Sequence, residues 1–396
     1  MSTLEVDSIV ASTSGADLNL DGAGSGVVNL ATGAKLNGVA LTDTFSTPNP
    51  NLIINGDMRI AQRGTVTGIS NAVAYGGPDR VGIINSNLGA VTVQQTTDAP
   101  ANTAFVSCHE VDVTTADASP AAADQLATYY SFEGLDLQHL KWGTANAEDL
   151  TLQMYVKSNK TGNFVLECYM PDGGGYHTSQ LVNIAVADTW ELKTITIPGN
   201  TSQAPANDNT VGLSFYFWLD SGTDYTSGSL NAGWAAFSAA NRAAGITLAL
   251  GDNTANYFRM TGLKAEVGST ATAFVPDNYG TALAKCQRYY QVAGNVINAQ
   301  LFMAHCVDPT VADGVCHFPV TMRTSATVSV SSVSHFNVRY GIGVTSSAAS
   351  AVVGYATSSL STAFLRVTIP SALTVGQAAS VSINSASGQL RFDAEL

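Results

Sequence analysis

Three features of the 396 residues predict an all-β chain. Apolar and polar residues alternate with period two in runs such as Val211, Leu213, Phe215, Phe217 and Leu219, the pattern of half-buried strands. Turn clusters, among them PDGGG (171–175), PGN (198–200) and DSG (220–222), recur at intervals of about ten residues. Charged residues are only 12% of the chain, and no long amphipathic helical pattern competes with the strands. The architecture predicted is a stalk-like N-terminal segment, a jelly-roll β-sandwich, a short docking helix and a smaller C-terminal β domain.

Residues 1–48 carry three short apolar alternations, LNLDG (18–22), VNLATG (28–33) and LNGVALT (36–42), each ended by Gly, Asn or a polar residue. Rungs so few cannot bury a core within one chain, whereas three chains wound together would close one. A flexible tail with chance similarity is the alternative. TDTFSTPNPN (42–51), with two prolines, reads as the linker.

The sandwich is placed at 49–276. Leu152, Met154 and Val156 alternate with Gln153, Tyr155 and Lys157, and Phe164, Leu166, Cys168 and Met170 repeat the pattern after a turn at 160–163. Ala235 to Gly245 reads as a short helix or a loop. At the end of the domain, Phe258 and Met260 hold one phase, and after Gly262 the residues Leu263, Ala265 and Val267 take over the apolar face. A glycine at such a slip predicts a β-bulge. Phe274 is read as a plug into the core, and Pro276 ends the extended run. Asp277 then caps a helix over 277–290, with Tyr279, Leu283, Cys286 and Tyr290 on its buried face. Residues 291–396 form the smaller β domain, with strand-like runs TVSVSSVSHFNVRY, FLRVTIP and ASVSINS.

Several ordered motifs carry a resemblance. NLIINGDMRIAQRGT (51–65), FEGLDLQHLKWGTA (132–145), TIPGNT (196–201), NAGW (231–234), LKAEVGSTATAF (263–274), CQRYY (286–290) and FPVTMRTS (318–325) occur in this sequence. Together they resemble a module of bacteriophage tail fibres and tail adhesins, across roughly residues 50–325. One departure is Val81 after Asp79 and Arg80, where the family often has Trp. The resemblance implies a virion tail protein, assembled in the host cytoplasm, that forms a homotrimer and attaches to other phage tail proteins through its N-terminal segment. It implies binding to a host surface glycan or protein. The alternatives are a purely structural or decoration protein of the particle and a glycan hydrolase.

Composition narrows the partners. Thirty acidic against seventeen basic residues give a formal charge of −13, which argues against a nucleic-acid partner, since backbone binding needs a basic face. No apolar run approaches the eighteen residues or so of a membrane span, and MSTLEVDSIVAST lacks the basic start of a secretory signal. Five cysteines (108, 168, 286, 306 and 316) without a C-x-x-C pair read as small buried hydrophobes rather than a disulfide framework.

Catalytic signatures are missing: no G-x-S-x-G, G-x-x-x-x-G-K-[ST] or H-E-x-x-H occurs. A carboxylate pair such as Glu133 and Asp136 near Trp142 arises by chance among thirty acids, so neither an enzyme nor a cofactor is expected. Three sets of residues stand out for binding. Tyr216 and Trp218 fall on the face opposite Phe215 and Phe217, where aromatic rings stack on sugars and Asp220 or Asn207 accepts hydroxyls; the alternative is that this face is covered. His305-Cys306 and Cys316-His317 sit symmetrically about residue 311, so a hairpin would set His305 opposite His317. On a threefold axis these imidazoles would ligate a metal, and simple cross-strand pairs are the alternative. Lastly, Arg339, Tyr340 and Tyr355 lie among small residues in the 338–359 segment, where exposed Arg and Tyr would read a receptor. Tyrosines packed on the sheet are the competing reading.

Overall fold

The computed structural model describes residues 50–341, 345–355, 359–370 and 373–396, together with the backbone pairing of Lys35–Leu36 with Val39–Ala40. The stalk expected over 1–48 otherwise lies outside the described residues. The chain divides into two units, Met1–Pro48 and Asn49–Leu396. The second unit holds the sandwich, the helix and the distal strands.

The predicted sandwich is present. Its strands are β1 (Val66–Tyr75), β2 (Val81–Thr96), β3 (Cys108–Thr115), β4 (Gln125–Glu133), β5 (Leu150–Ser158), β6 (Gly162–Met170), β7 (Tyr176–Ile184), β8 (Glu191–Ile197), β9 (Val211–Ser221), β10 (Ala235–Ala236) and β11 (Tyr257–Val267). They pair antiparallel in the order β8-β5-β11-β3-β2-β4-β9-β6-β7-β10, with β1 on β2. The long β2 belongs to both layers. Val81–Ser86 pairs with β4, and Ala90–Thr96 pairs with β3. Between these halves Asn87 has φ 58°, and the Asn85 carboxamide holds the corner by donating to the Ile69 carbonyl (2.9 Å) and accepting from Leu88 N–H (3.0 Å). The front layer is thus β1-β2-β4-β9-β6-β7-β10 and the back layer β2-β3-β11-β5-β8. Their inner faces share one core, in which Phe164 and Phe258 meet edge to face at 5.4 Å across the layers.

The bulge expected in β11 is observed. Pairing with β5 slips between Thr261 and Lys264, and Gly262 takes φ 64°, a conformation that costs other residues energy. The slip turns Leu263 and Ala265 into the core, both fully buried. Phe274 differs from the expectation. It is half-buried and packs edge-on against Phe105 at 5.0 Å, beside the layer rather than inside it.

The docking helix α1 (Tyr279–Gln287) also forms, with two corrections. Its cap is Asn278, whose side chain accepts from Thr281 N–H (3.0 Å); Asp277 instead pairs with Lys285. Its buried stripe is Ala282 and Cys286, packed with half-buried Leu283 on Ile54 and Ile60, while Tyr279 is 59% exposed. The first-turn residues Tyr279, Gly280 and Thr281 are all exposed, and burial begins at Ala282. Tyr290 is buried, but as the first residue of a strand.

The distal strands are β12 (Tyr290–Gly294), β13 (Gln300–Asp308), β14 (Val311–His317), β15 (Thr327–Val330), β16 (Phe336–Tyr340), β17 (Thr345–Ala348), β18 (Ala351–Gly354), β19 (Thr362–Thr368), β20 (Ala378–Ile383) and β21 (Gln389–Asp393). They make a three-stranded sheet, β12-β21-β15, and a seven-stranded sheet, β17-β16-β20-β13-β14-β19-β18, around a second core centred on Phe336, Val338, Leu365, Val381 and Phe392.

The quoted motifs meet one another. Asn51 of the first clasps Leu263 and Ala265 of the last sandwich motif (2.9 and 3.0 Å). Trp142 and Trp234 meet edge to face at 5.1 Å, and Trp234 donates to the Pro198 carbonyl (2.7 Å). The remainder form a seam between sandwich and distal strands. Arg80 is 1% exposed, pairs with Glu395 and stacks 3.4 Å from the Tyr289 ring centre; Arg63 pairs with Asp393 and Glu395 and stacks 3.6 Å from that of Tyr290. Arg288 grips Glu133 through two bonds of 2.7 Å, which accounts for that carboxylate structurally. Val81, at the departure from the family pattern, is a core residue.

Candidate functional site

The outer face of the front layer is built from the residues that alternate away from the core. On β4 these are Tyr129 and Ser131, on β9 Ser214, Tyr216 and Trp218, and on β6 Glu167 and Tyr169. Antiparallel register sets Tyr129 opposite Tyr216, and Tyr216 opposite Glu167; Ser214 lies between Ser131 and Tyr169. The result is a groove of 340 Å³, floored by Ser131 and Ser214, whose hydroxyls bond at 2.8 Å, and walled by Tyr129, Tyr169 and Tyr216. Val73, Pro171, Val211 and Leu396 complete its rim.

Gly82 makes room for one wall. It pairs with Tyr129, and a methyl group there would overlap the phenol ring. Burial pushes the Tyr129 hydroxyl up to about 12 and raises that of Tyr216, so both remain neutral donors at physiological pH. Tyr75, Tyr129, Tyr216, Tyr169 and Phe237 succeed one another across the layer with centroid separations of 5.6, 5.7, 6.5 and 5.3 Å.

Trp218 lies outside this open surface. It is 1% exposed, roofed by the 222–246 segment through Tyr225, Leu230, Ala243 and Ile246. The parity argument puts Tyr216 and Trp218 on one face, as expected, and that face is half covered. The roof is fastened by Glu167, itself fully buried. Its carboxylate accepts from His177 Nδ1 (2.9 Å), Trp218 Nε1 (2.9 Å) and Arg242 Nε (2.9 and 3.0 Å). Asn231, in the NAGW motif, donates to His177 Nε2 (2.8 Å). The Arg242 guanidinium lies over Trp218, Tyr216, Phe237 and Tyr169, between 4.7 and 5.9 Å from their ring centres. The segment 235–245, read as helix or loop, is two strand residues and a short 3-10 turn. Asp220 does not face the groove. It is buried and accepts Gly251 N–H (2.9 Å), and burial pushes its carboxyl up to about 6. Asn207 is exposed.

In the distal region the His-Cys hairpin forms with a different register. His305 pairs with Asp313, and Cys306 with Ala312. The turn is at Pro309-Thr310, where the Asp308 carboxylate accepts from Thr310 N–H (3.1 Å). An Asp-Pro-Thr turn of this kind nucleates ahead of the symmetric centre. His317 therefore lies four residues beyond the partner of His305, about 13 Å along the strand. The faces keep the expected parity: both imidazoles are exposed, and both cysteines are buried. Among the described residues no cluster of three or more metal-ligating side chains occurs.

Arg339 and Tyr355 share one line across the seven-stranded sheet. Arg339 pairs with Ser380, which pairs with Met303; Val315 pairs with Phe364, and Tyr355 packs edge-on against Phe364 at 5.5 Å. Met303 precedes Ala304, the partner of Gly314, and so stands beside Val315. Tyr340 points the other way and packs, half-buried, against the distal core. A groove of 690 Å³ along this face includes Met303, His305, Val315, His317 and Phe364, and another of 460 Å³ includes Met303, Arg339 and Tyr340.

Sequence reading reached Tyr216 but missed Tyr129, Tyr169, Glu167 and Arg242. The signal for three of them was present, because Tyr129, Tyr169 and Glu167 alternate against core residues of β4 and β6. Nothing local marks Arg242, whose place depends on a chain crossing.

No protein-family model matches the chain, and no curated protein matches it. Among solved structures it is similar to the enzymatically active domain of tailspike protein 4 of bacteriophage CBA120, with 10% identity and a TM-score of 0.30 over 55% of this chain and 21% of that one. This chain thus spans about a fifth of that tailspike chain. It is also similar to the CBM22-1 xylan-binding domain from Paenibacillus barcinonensis (10% identity, TM-score 0.28, 57% of this chain and 99% of that one). The N-terminal cellulose-binding domain of Cellulomonas fimi β-1,4-glucanase C gives 10% identity and a TM-score of 0.26 over 57% and 100%.

Proposed function

We propose that this chain is a non-catalytic subunit of a phage tail fibre or tail adhesin that attaches the virion to a host surface glycan. One observation carries the proposal: a groove on a rigid sheet with a hydroxyl floor and tyrosine walls. Aromatic rings stack against the C–H faces of sugars, and neutral hydroxyls exchange hydrogen bonds with them. The motif resemblance supports the setting in a virion tail, with other tail proteins as partners of the N-terminal segment. Reading the site as non-catalytic rests on its lining, which includes no aspartate or glutamate side chain; Glu167, opposite Tyr216, is buried and shared among three donors. Weak single sites gain strength by repetition, so the reading includes a homotrimer. Neither nucleic acid nor membrane insertion belongs to it.

The test is glycan binding by the purified protein, whose mass by light scattering should be about three times 41.0 kDa. Changing Tyr216 to Ala should weaken binding roughly tenfold or more, the loss of one stacking contact. Undiminished binding would exclude the groove. The line through Arg339, Met303, Phe364 and Tyr355 favours a second reading, in which the distal face meets the receptor. Binding lost on changing Arg339 and Tyr355, with the groove intact, would select it.

A further inference from the structure

The guanidinium of Arg242 is fixed at one end only. Its Nε donates to the buried Glu167 carboxylate, and the side chain is 15% exposed. Among the described residues its two terminal amino groups take no hydrogen bond, and neither is a buried orphan. They therefore retain access to water beside Tyr169, Tyr216 and Phe237; the first two are walls of the groove, so Arg242 stands behind its wall rather than in its lining. An arginine so held has little further freedom to lose: ion pair and ring stacking already fix its plane, leaving a rigid fork of N–H donors aimed at adjacent acceptor atoms.

We propose that Arg242 is a specificity-determining residue at the edge of the groove, donating from its terminal amino groups to two adjacent oxygens of a neutral sugar ring held in the groove against Tyr169 and Tyr216. The proposal rests on the glycan reading of the groove and deepens it by naming the ligand class. Adjacent oxygens occur in a vicinal diol and in a carboxylate. Two charges favour the diol. Glu167 already balances the guanidinium, so an incoming carboxylate meets a neutral pair. The chain as a whole also carries −13, which disfavours approach by a polyanion.

The experiment uses the full chain on a printed array of bacterial surface polysaccharides and defined oligosaccharides, with Arg242→Lys and Tyr216→Ala as variants. Lysine keeps the charge and loses the fork. Bound glycans should be neutral with free adjacent hydroxyls, and periodate cleavage of those diols should abolish their binding. R242K should lower the signal about tenfold, the scale of a lost charge-assisted hydrogen bond, while Trp218 fluorescence and the melting temperature stay near those of the parent. If Y216A abolishes binding and R242K leaves it unchanged, the role of Arg242 is overturned and the groove stands. Preference for uronate or sialate glycans overturns the neutral class. Binding that survives Y216A, or no binding at all by the parent protein, removes both the groove reading and this one.

Discussion

The outer face of the front layer and the outer face of the seven-stranded sheet each back onto a hydrophobic core, yet they are finished differently. The first is half roofed by the 222–246 segment and tied down by one buried carboxylate. The second has no described segment across it, and Met303 is 68% exposed there. Its ion pair between Arg366 and Asp313 joins neighbouring strands within the sheet. A tied roof fixes the orientation of rings at its edge, while on the open face side chains are held by neighbours within the sheet, as Arg366 is by Asp313 and Tyr355 by Phe364. Binding energy favours the first arrangement because less side-chain freedom is lost on contact.

Breaking the tie should give the largest effect. Changing Glu167 to Ala leaves the buried Trp218 indole N–H and His177 Nδ1 without their acceptor and the Arg242 guanidinium without its counter-ion, and should destabilise by about 3–5 kcal/mol in denaturant unfolding. A loss below about 1 kcal/mol would mean that the roof is held by its apolar contacts alone.

The seam gives an effect of similar kind that depends on pH. Burial outweighs the Gln62 hydrogen bonds and Arg63 and pushes the Asp79 carboxyl up to about 6 from an ordinary 3.8. The folded state then holds this proton more tightly than the unfolded one. Stability from this group is full below about pH 4 and is lost as pH rises through about 6, by up to about 3 kcal/mol. Asp79→Asn should flatten that part of the stability profile, and an unchanged slope would assign it to Asp220, whose carboxyl is also pushed up to about 6.

On the open distal face the effects should be smallest. Arg339→Ala should change stability by no more than about 0.5 kcal/mol, and Tyr355→Ala by about 1 kcal/mol, for the ring contact with Phe364. Under the groove reading virion adsorption should survive both. Loss of adsorption without loss of stability would reverse the ranking of the two faces.

These faces also show how much was legible in the sequence. Alternation alone placed the inner and outer residues of β9 from Leu213 to Trp218, because period two needs no tertiary information; bulges at the two ends of the strand put Val211 on the groove rim and turned Asp220 away from it. Gly262 marked its bulge for the same reason. The roof over Trp218 was not legible, since it depends on where a chain of small residues crosses a sheet. In the hairpin at 305–317 the faces were right and the register was not. Moving the turn to Pro309-Thr310 shifted the pairing by an even number of residues, which preserves which side each residue faces. The helix was legible as a helix, but its cap went to Asn278 over Asp277, two neighbours that are equally good caps.

The seam bears on how such chains diversify. Arg63, Arg80 and Glu133 are offered by the sandwich; Arg288, Tyr289 and Tyr290, Arg323 and Glu395 answer from the helix end and the distal strands. These are the parts of a socket and a plug, and Arg323 is what the distal segment between 300 and 383 adds to these pairings. A different set of loops and strands inserted between the CQRYY run and the last β-strand would still seat on the same sandwich, provided that this arginine and the closing acidic pair came with it. Exchange of whole distal regions at this seam would then require compatibility at a handful of positions rather than across an entire interface.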